Sequence, residues 1–216
     1  MKKITTGILI LMTIIIYSCN EEKELVDPFI EEIEQFKAQS IIQFSGQVLD
    51  NEINWKFGNW NNGIGGYGES FWCLTDSKKI QQRNFTIYDY EQRDDIISLK
   101  IKSPAFSIDS SLLFKKTIFE IGRKALRSSS NSIYEGFEIQ GNSKNACFSS
   151  LYGDQNASSF EIIKVQELTP DDPEKDYKKL RLWIVVSCNL FQCEGQKIGM
   201  IKGGKFIAEI ELERNE

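Results

Sequence analysis

Residues 197–213 read KIGMIKGGKFIAEIELE, and this stretch decides the fold class. From Lys205 onward, Phe206, Ala208, Ile210 and Leu212 alternate with Ile207, Glu209, Glu211 and Glu213. A period of two marks a half-buried strand, because successive side chains leave a strand on opposite faces. Gly203-Gly204 interrupts the run. A Gly-Gly pair between two strand patterns predicts a two-residue hairpin turn joining 197–201 to 205–212. The glutamates would then line the solvent side and guard an edge against pairing. Upstream, Leu180, Leu182, Ile184, Val186, Cys188 and Leu190 form one face of a further strand over 180–191.

The same period recurs from residue 41. Phe44, Gly46 and Val48 alternate with Ser45, Gln47 and Leu49, Asp50-Asn51-Glu52 supplies a turn, and Ile53, Trp55 and Phe57 resume the alternation. This predicts a hairpin with an aromatic inner face and Trp55 in the core. Further strands are expected at 69–75, 84–90, 96–102, 134–139, 146–152 and 159–167. In 96–102, Ile97, Leu99 and Ile101 alternate with Ser98, Lys100 and Lys102. Leu113, Ile118, Ile121 and Ala125 fit a helix better, so a short helix is expected at 110–121, stopping at Gly122. The expectation is a single, mainly β domain over 41–216: an antiparallel β-sandwich or β-barrel with one or two short helices.

A chain of 216 residues with 12% aromatics can build such a core as one domain. Net charge is −5, which disfavours nucleic acid as a partner, because phosphate neutralisation needs an excess of Lys and Arg. There is no histidine. Ser-His-Asp and Cys-His catalysis and His-based metal sites are therefore excluded. No metal or cofactor is expected.

Lys2 and Lys3 precede an uncharged run from Ile4 to Tyr17, too short to span a bilayer comfortably and of the length of a signal-peptide core. It ends in Ile16-Tyr17-Ser18-Cys19, which resembles the lipobox of bacterial lipoproteins. The resemblance implies a signal peptide over 1–18 and a lipid anchor on the sulfur of Cys19. Residues 19–27 read as an acylated acidic tether. Asp27-Pro28 then opens a short helical segment, 28–40, whose apolar face (Leu25, Phe29, Ile33, Phe36) runs over 28–38.

The acidic cluster after Cys19 resembles the export signal of surface lipoproteins of the Bacteroidetes type. The hairpin FSGQVLDNEINW (44–55), the stretch FEIGRKAL (119–126) and the closing SCNLF (187–191) with GQKIGMIKGGKFIAEIEL (195–212) are similar to small β-rich lipoproteins of unknown function of that group. The resemblance implies a fold and an outer-membrane location, at the cell surface or facing the periplasm. It implies no activity.

Within 59–68, Trp60 and Tyr67 stand beside Asn61 and Asn62 in a glycine-rich loop. Planar rings next to amides are the materials of a sugar platform, because apolar sugar faces stack on rings and amides bond hydroxyls. The same rings would also serve as core. Gly63–Gly68 fits G-x-G-x-x-G, but a strand is expected after it rather than the helix that phosphate binding needs. TPDDPEKD (169–176) carries oxygen ligands of the Ca²⁺ type, yet two prolines and the missing fixed Gly favour a solvated turn. Beyond Cys19 four cysteines remain. An exported chain with an even number predicts disulfides, with Cys188–Cys193 and Cys73–Cys147 the preferred pairing of three possible ones and free buried thiols the alternative. The functional expectation is a non-catalytic binding module for a glycan or an envelope protein. A carboxylate-based glycan hydrolase and a structural envelope component are the alternatives.

Overall fold

A computed structural model describes residues 28–57, 66–73, 80–89, 95–127, 133–169, 177–192 and 195–213. The strands are β1 (Gln43–Val48), β2 (Asn51–Lys56), β3 (Gly66–Cys73), β4 (Ile80–Tyr88), β5 (Ile96–Lys102), β6 (Phe106–Ser107), β7 (Gly122–Arg123), β8 (Glu138–Ser143), β9 (Cys147–Ser149), β10 (Ser159–Leu168), β11 (Tyr177–Phe191) and β12 (Lys197–Glu213). Two short helices accompany them, α1 (Pro28–Ala38) and α2 (Leu112–Ile118). The chain divides into two units between Ala38 and Gln39. In the first, the glutamates of α1 are exposed, Ile33 is half-buried and Phe36 is buried.

The second unit is mainly β, one large antiparallel sheet that does not close. Its order is β2-β1-β12-β11-β9-β8-β5-β4-β3. β11 is the branch point: β10 pairs with its first part, from Leu168↔Lys179 to Ser159↔Ser187, and β9 joins at Phe191↔Ser149. The two arms fold over one core, so that β4 approaches β12. The inner face of β11 is the expected one, since Leu180, Leu182, Ile184, Val186, Cys188 and Leu190 are all buried.

The Gly203-Gly204 expectation is overturned. β12 is one 17-residue strand, and the chain leaves β11 for it earlier, between Phe191 and Lys197, where Gln192 N donates to Gln196 O and Gly195 has φ 85°. Gly203-Gly204 forms a bulge instead. On one side Lys202 and Gly203 face the single Ser187, and on the other Gly203 and Gly204 face the single Gly46. The extra residue flips the parity of the strand: Ile201 is buried before it, and Gly204, Phe206, Ala208, Ile210 and Leu212 after it. Gly203 takes φ 57° and donates its N–H to Ser187 Oγ at 3.1 Å. β12 lies between β1 and β11 over Ile201–Ile207, and from Ala208 to Glu213 it pairs with β11. Glu209 serves as a cross-strand partner, meeting Arg181 at 2.6 Å and Lys179 at 3.4 Å.

The first hairpin forms with Val48 opposite Asn51, so its turn is Leu49-Asp50, one residue earlier than expected. Both turn residues have positive φ (48° and 66°), as a two-residue turn of the primed type requires. Trp55 is buried in the core, as expected, while Phe57 is exposed. α2 starts at the Ser111 cap, whose Oγ accepts from Phe114 N at 3.2 Å, and stops at Ile118, short of the expected Gly122. Phe119 follows it into the core. Its ring meets Phe85 and Phe137 edge-on, and Phe137 stacks on Phe160 at 4.6 Å.

Candidate functional site

The outer face of β9-β8-β5-β4 carries a polar grid fixed by register. Ser98, Lys100 and Lys102 of β5 stand opposite Asn142, Gln140 and Glu138 of β8. On the other side of β5 they face Tyr88, Thr86 and Asn84 of β4. β9 adds Cys147 opposite Asn142 and Ser149 opposite Gln140. The other face of the same strands is core, with Leu99, Ile101, Phe85, Ile87 and Ile139 buried. Burial along the grid grows from exposed Asn142 and Cys147 to Glu138, which is 1% exposed.

An open cleft of about 200 Å³ lies on this face, bordered by Ser98, Lys100, Gln140, Asn142, Ser149 and Tyr152. Asn142 Nδ2 donates to Ser98 Oγ at 3.2 Å. Tyr152, 43% exposed, is held in place from both sides of its loop. Before it, Leu151 N donates to Ser149 Oγ at 3.0 Å and Ser150 N to Ile139 O at 2.8 Å. After it, Gly153 lies against the Phe191 ring, and Gln155 Nε2 ties Ser150 O to Asn189 O of β11.

A charged cluster closes the inner end of the grid. The Glu138 carboxylate contacts the Arg127 guanidinium, accepts from Ser149 Oγ at 3.0 Å and from Gln140 Nε2, and lies 3.7 Å from Lys102 Nζ. Arg127 is positioned by its N–H, which donates to Phe137 O at 2.7 Å. Burial, with the charges of Arg127 and Lys100 beside it, pushes the Lys102 ammonium down to about 8. Burial also lowers the Arg127 guanidinium from its usual value. Arg127 Nε is buried with no hydrogen-bond partner among the described residues.

A second, more apolar depression of about 550 Å³ lies beside α2, lined by Leu113, Phe119, Ile121, Val165 and Leu180. On its rim Glu167 accepts from Lys116 and Lys178, and these bonds hold its carboxyl at about 2.

The residues singled out from sequence fall in several places. Cys19, Trp60, Asn61, Asn62 and Cys193 lie outside the described residues, as does the acidic turn at 170–176. Tyr67 belongs to β3, opposite Ile87, rather than to the loop. The G-x-G-x-x-G run therefore passes into a strand, as expected. Cys188 is a free thiol buried in the core, where burial pushes it up to about 12, so the bridge to Cys193 is not made. Nor is Cys73–Cys147. The row through Cys147, Asn142, Ser98 and Tyr88 meets β3 at Gly66, four strands away, and Cys73 lies seven residues further along. At roughly 3.4 Å per residue, that is about 24 Å along the strand, against the roughly 7 Å limit for the Cα atoms of a disulfide. Among the described residues no disulfide is present. Exposed Cys147 borders the cleft instead. No protein-family model, curated protein or solved structure matches the chain.

The cleft residues escaped the sequence reading, although part of their signal was visible. The Ser98-Lys100-Lys102 face of 96–102 was legible as polar, but nothing in one strand tells a solvated face from a lined cleft.

Proposed function

We propose that the chain is a lipid-anchored, exported envelope protein of the outer membrane, displayed at the cell surface, whose β domain is a non-catalytic binding module for a glycan. The anchor reading rests on Lys2, Lys3, the uncharged run and Cys19, and on the resemblance to surface lipoproteins of the Bacteroidetes type. The binding reading is carried by one observation: an anchored, exposed Tyr152 ring beside the amides and hydroxyls of Asn142, Gln140, Ser98 and Ser149. A ring stacks on the apolar face of a sugar, and amides bond its hydroxyls. The cleft is smaller than the roughly 300–1,000 Å³ of pockets that enclose a whole small molecule. It suits one ring of a longer chain. Stacking contributes on the order of 1 kcal/mol beyond area burial, so single contacts are weak and display of many copies supplies avidity.

Two experiments test the reading. A glycan array probed with the wild-type protein and with Tyr152→Ala should show binding that the substitution weakens and no turnover of the bound glycan. Binding that ignores Tyr152→Ala removes the cleft from the proposal. In cell fractionation, Cys19→Ala should leave the membrane fraction, and retention there by an acyl anchor refutes the lipidation.

A further inference from the structure

The cleft is cationic in a chain whose net charge is −5. Lys100 borders it at the centre of the grid, with Gln140 on one side and Thr86 on the other. Among the described residues no carboxylate lines it. One layer further in stand Lys102 and Arg127 against the single carboxylate of Glu138. That carboxylate is fully buried and already engaged by Arg127, Lys102, Ser149 and Gln140. Two cations thus face one anion, and Lys100 adds a third at the cleft. Burial is the main cause of the depressed Lys102 ammonium, and the charges of Arg127 and Lys100 add to it. A surplus of like charge at a half-buried position is unfavourable, and an arriving anion would relieve it.

We propose that the cleft takes a saccharide by an anionic substituent, a carboxylate or a sulfate, which pairs with Lys100 while the sugar ring lies against Tyr152. The inference rests on the glycan reading above and adds the charge of the ligand. Asn142, Ser98 and Gln140 supply the polar contacts for the ring hydroxyls, and the Lys102–Arg127 layer holds the local potential positive behind Lys100.

The test titrates the full chain in detergent with polygalacturonate, dextran sulfate and unsubstituted dextran. At least one anionic polymer should bind in preference to dextran, and which one binds separates carboxylate from sulfate. Lys100→Met should weaken that binding about tenfold, the worth of one hydrogen bond to a charged group, and Lys100→Arg should retain it. Lys202→Met, at an exposed side chain of β12 beside Asp50, should leave it unchanged. Equal weakening by Lys202→Met, or dextran binding as tight as the anionic polymers and indifferent to Lys100→Met, overturns the inference, and the second result leaves the glycan reading standing. If no saccharide binds, here or on the array, the glycan reading itself fails and the inference with it.

Discussion

Replacing Gly46 with alanine attacks the feature that sets the register of the central strands. Gly46 has φ 147°, a conformation that residues with a side chain rarely adopt. The strain of forcing one there is roughly 1–3 kcal/mol. A Cβ at this position would sit 2.7 Å from Gly204 Cα and 3.1 Å from Gly203 O. Carbon atoms in contact prefer roughly 3.5–4.0 Å, so the strands must separate by about 1 Å. Both opposing atoms belong to backbone, so no flexible side chain can yield. Overpacking of this kind costs roughly 1–3 kcal/mol, and the two effects together amount to about 2–6 kcal/mol. Gly203→Ala is the control. Its φ is 57° and nothing lies within 4 Å of an added Cβ, so the cost is confined to the left-handed conformation, about 1–2 kcal/mol. Urea unfolding followed by far-ultraviolet circular dichroism measures both. With a slope of about 2–3 kcal/mol per molar urea, Gly46→Ala should lower the midpoint by about 1–3 M and Gly203→Ala by less than half of that. A Gly46→Ala variant as stable as Gly203→Ala would refute the three-strand bulge, because a hairpin turn at Gly203-Gly204 would leave Gly46 nothing to collide with.

Three further outcomes follow from the charged cluster and the thiol. Glu138→Ala should destabilise by about 3–5 kcal/mol in the same urea assay, because it strands the buried Arg127 and Lys102 charges, whereas Glu167→Gln, which loses an exposed pair, should cost at most about 1 kcal/mol; equal effects would contradict the burial of the cluster. Lys102 has its folded-state value lowered to about 8 from 10.5, so above pH 8 the unfolded chain holds more protons than the native one and Lys102 adds stability as pH rises. Cys188 acts in the opposite direction above pH 9, since its thiol is raised to about 12 from 9.0; the Lys102 contribution should therefore appear between pH 8 and 9 as a rise in the urea midpoint of wild type relative to Lys102→Met, and parallel curves would disprove it. Finally, comparison with Cys188→Ala under a thiol reagent should show that Cys188 is inert in the folded protein and adds one equivalent only in denaturant.

Much of the fold was legible because alternation reports burial directly. Leu180 through Leu190 and Phe206 through Leu212 lie on the inner face that the period of two assigns them. β5 (Ile96–Lys102) has the expected limits. The misreadings came where a local signal has two physical solutions. Gly-Gly satisfies a primed hairpin turn and a bulge equally well, since both need positive φ. What separates them is pairing with Ser187 and Gly46, residues distant in sequence. The Leu49-Asp50 turn was displaced by one because Leu is a poor candidate for φ 48°. The strand tolerates it because Leu49 packs over Gly199, where a Cβ would come within 2.7 Å of Leu49 Cδ2. The cysteine pairing failed for a different reason. Spacing carries no information on the order β9-β8-β5-β4-β3, and that order separates Cys73 from Cys147.

The cleft was less legible than the fold, for a reason that its own construction makes plain. Period two assigns Ser98, Lys100 and Lys102 to one face, and a single strand gives no ground for reading that face as anything but solvated. The cleft exists only because β8, β9 and the loop after β9 bring Gln140, Asn142, Ser149 and Tyr152 beside those residues. Arg127 arrives separately, through the lone bridge of Leu126 to Phe137 and the hydrogen bond of its N–H to Phe137 O. Each part looks ordinary alone: a surface lysine, an exposed amide, a glutamate at the start of a strand. Register turns Glu138 into a buried carboxylate with two cations on it, and the third cation, Lys100, is then the one left facing the cleft. The sign of the site is thus a property of the pairing of β5 with β8. Moving that register by one residue would turn Lys100 and Gln140 to opposite faces and dissolve the site without changing one amino acid.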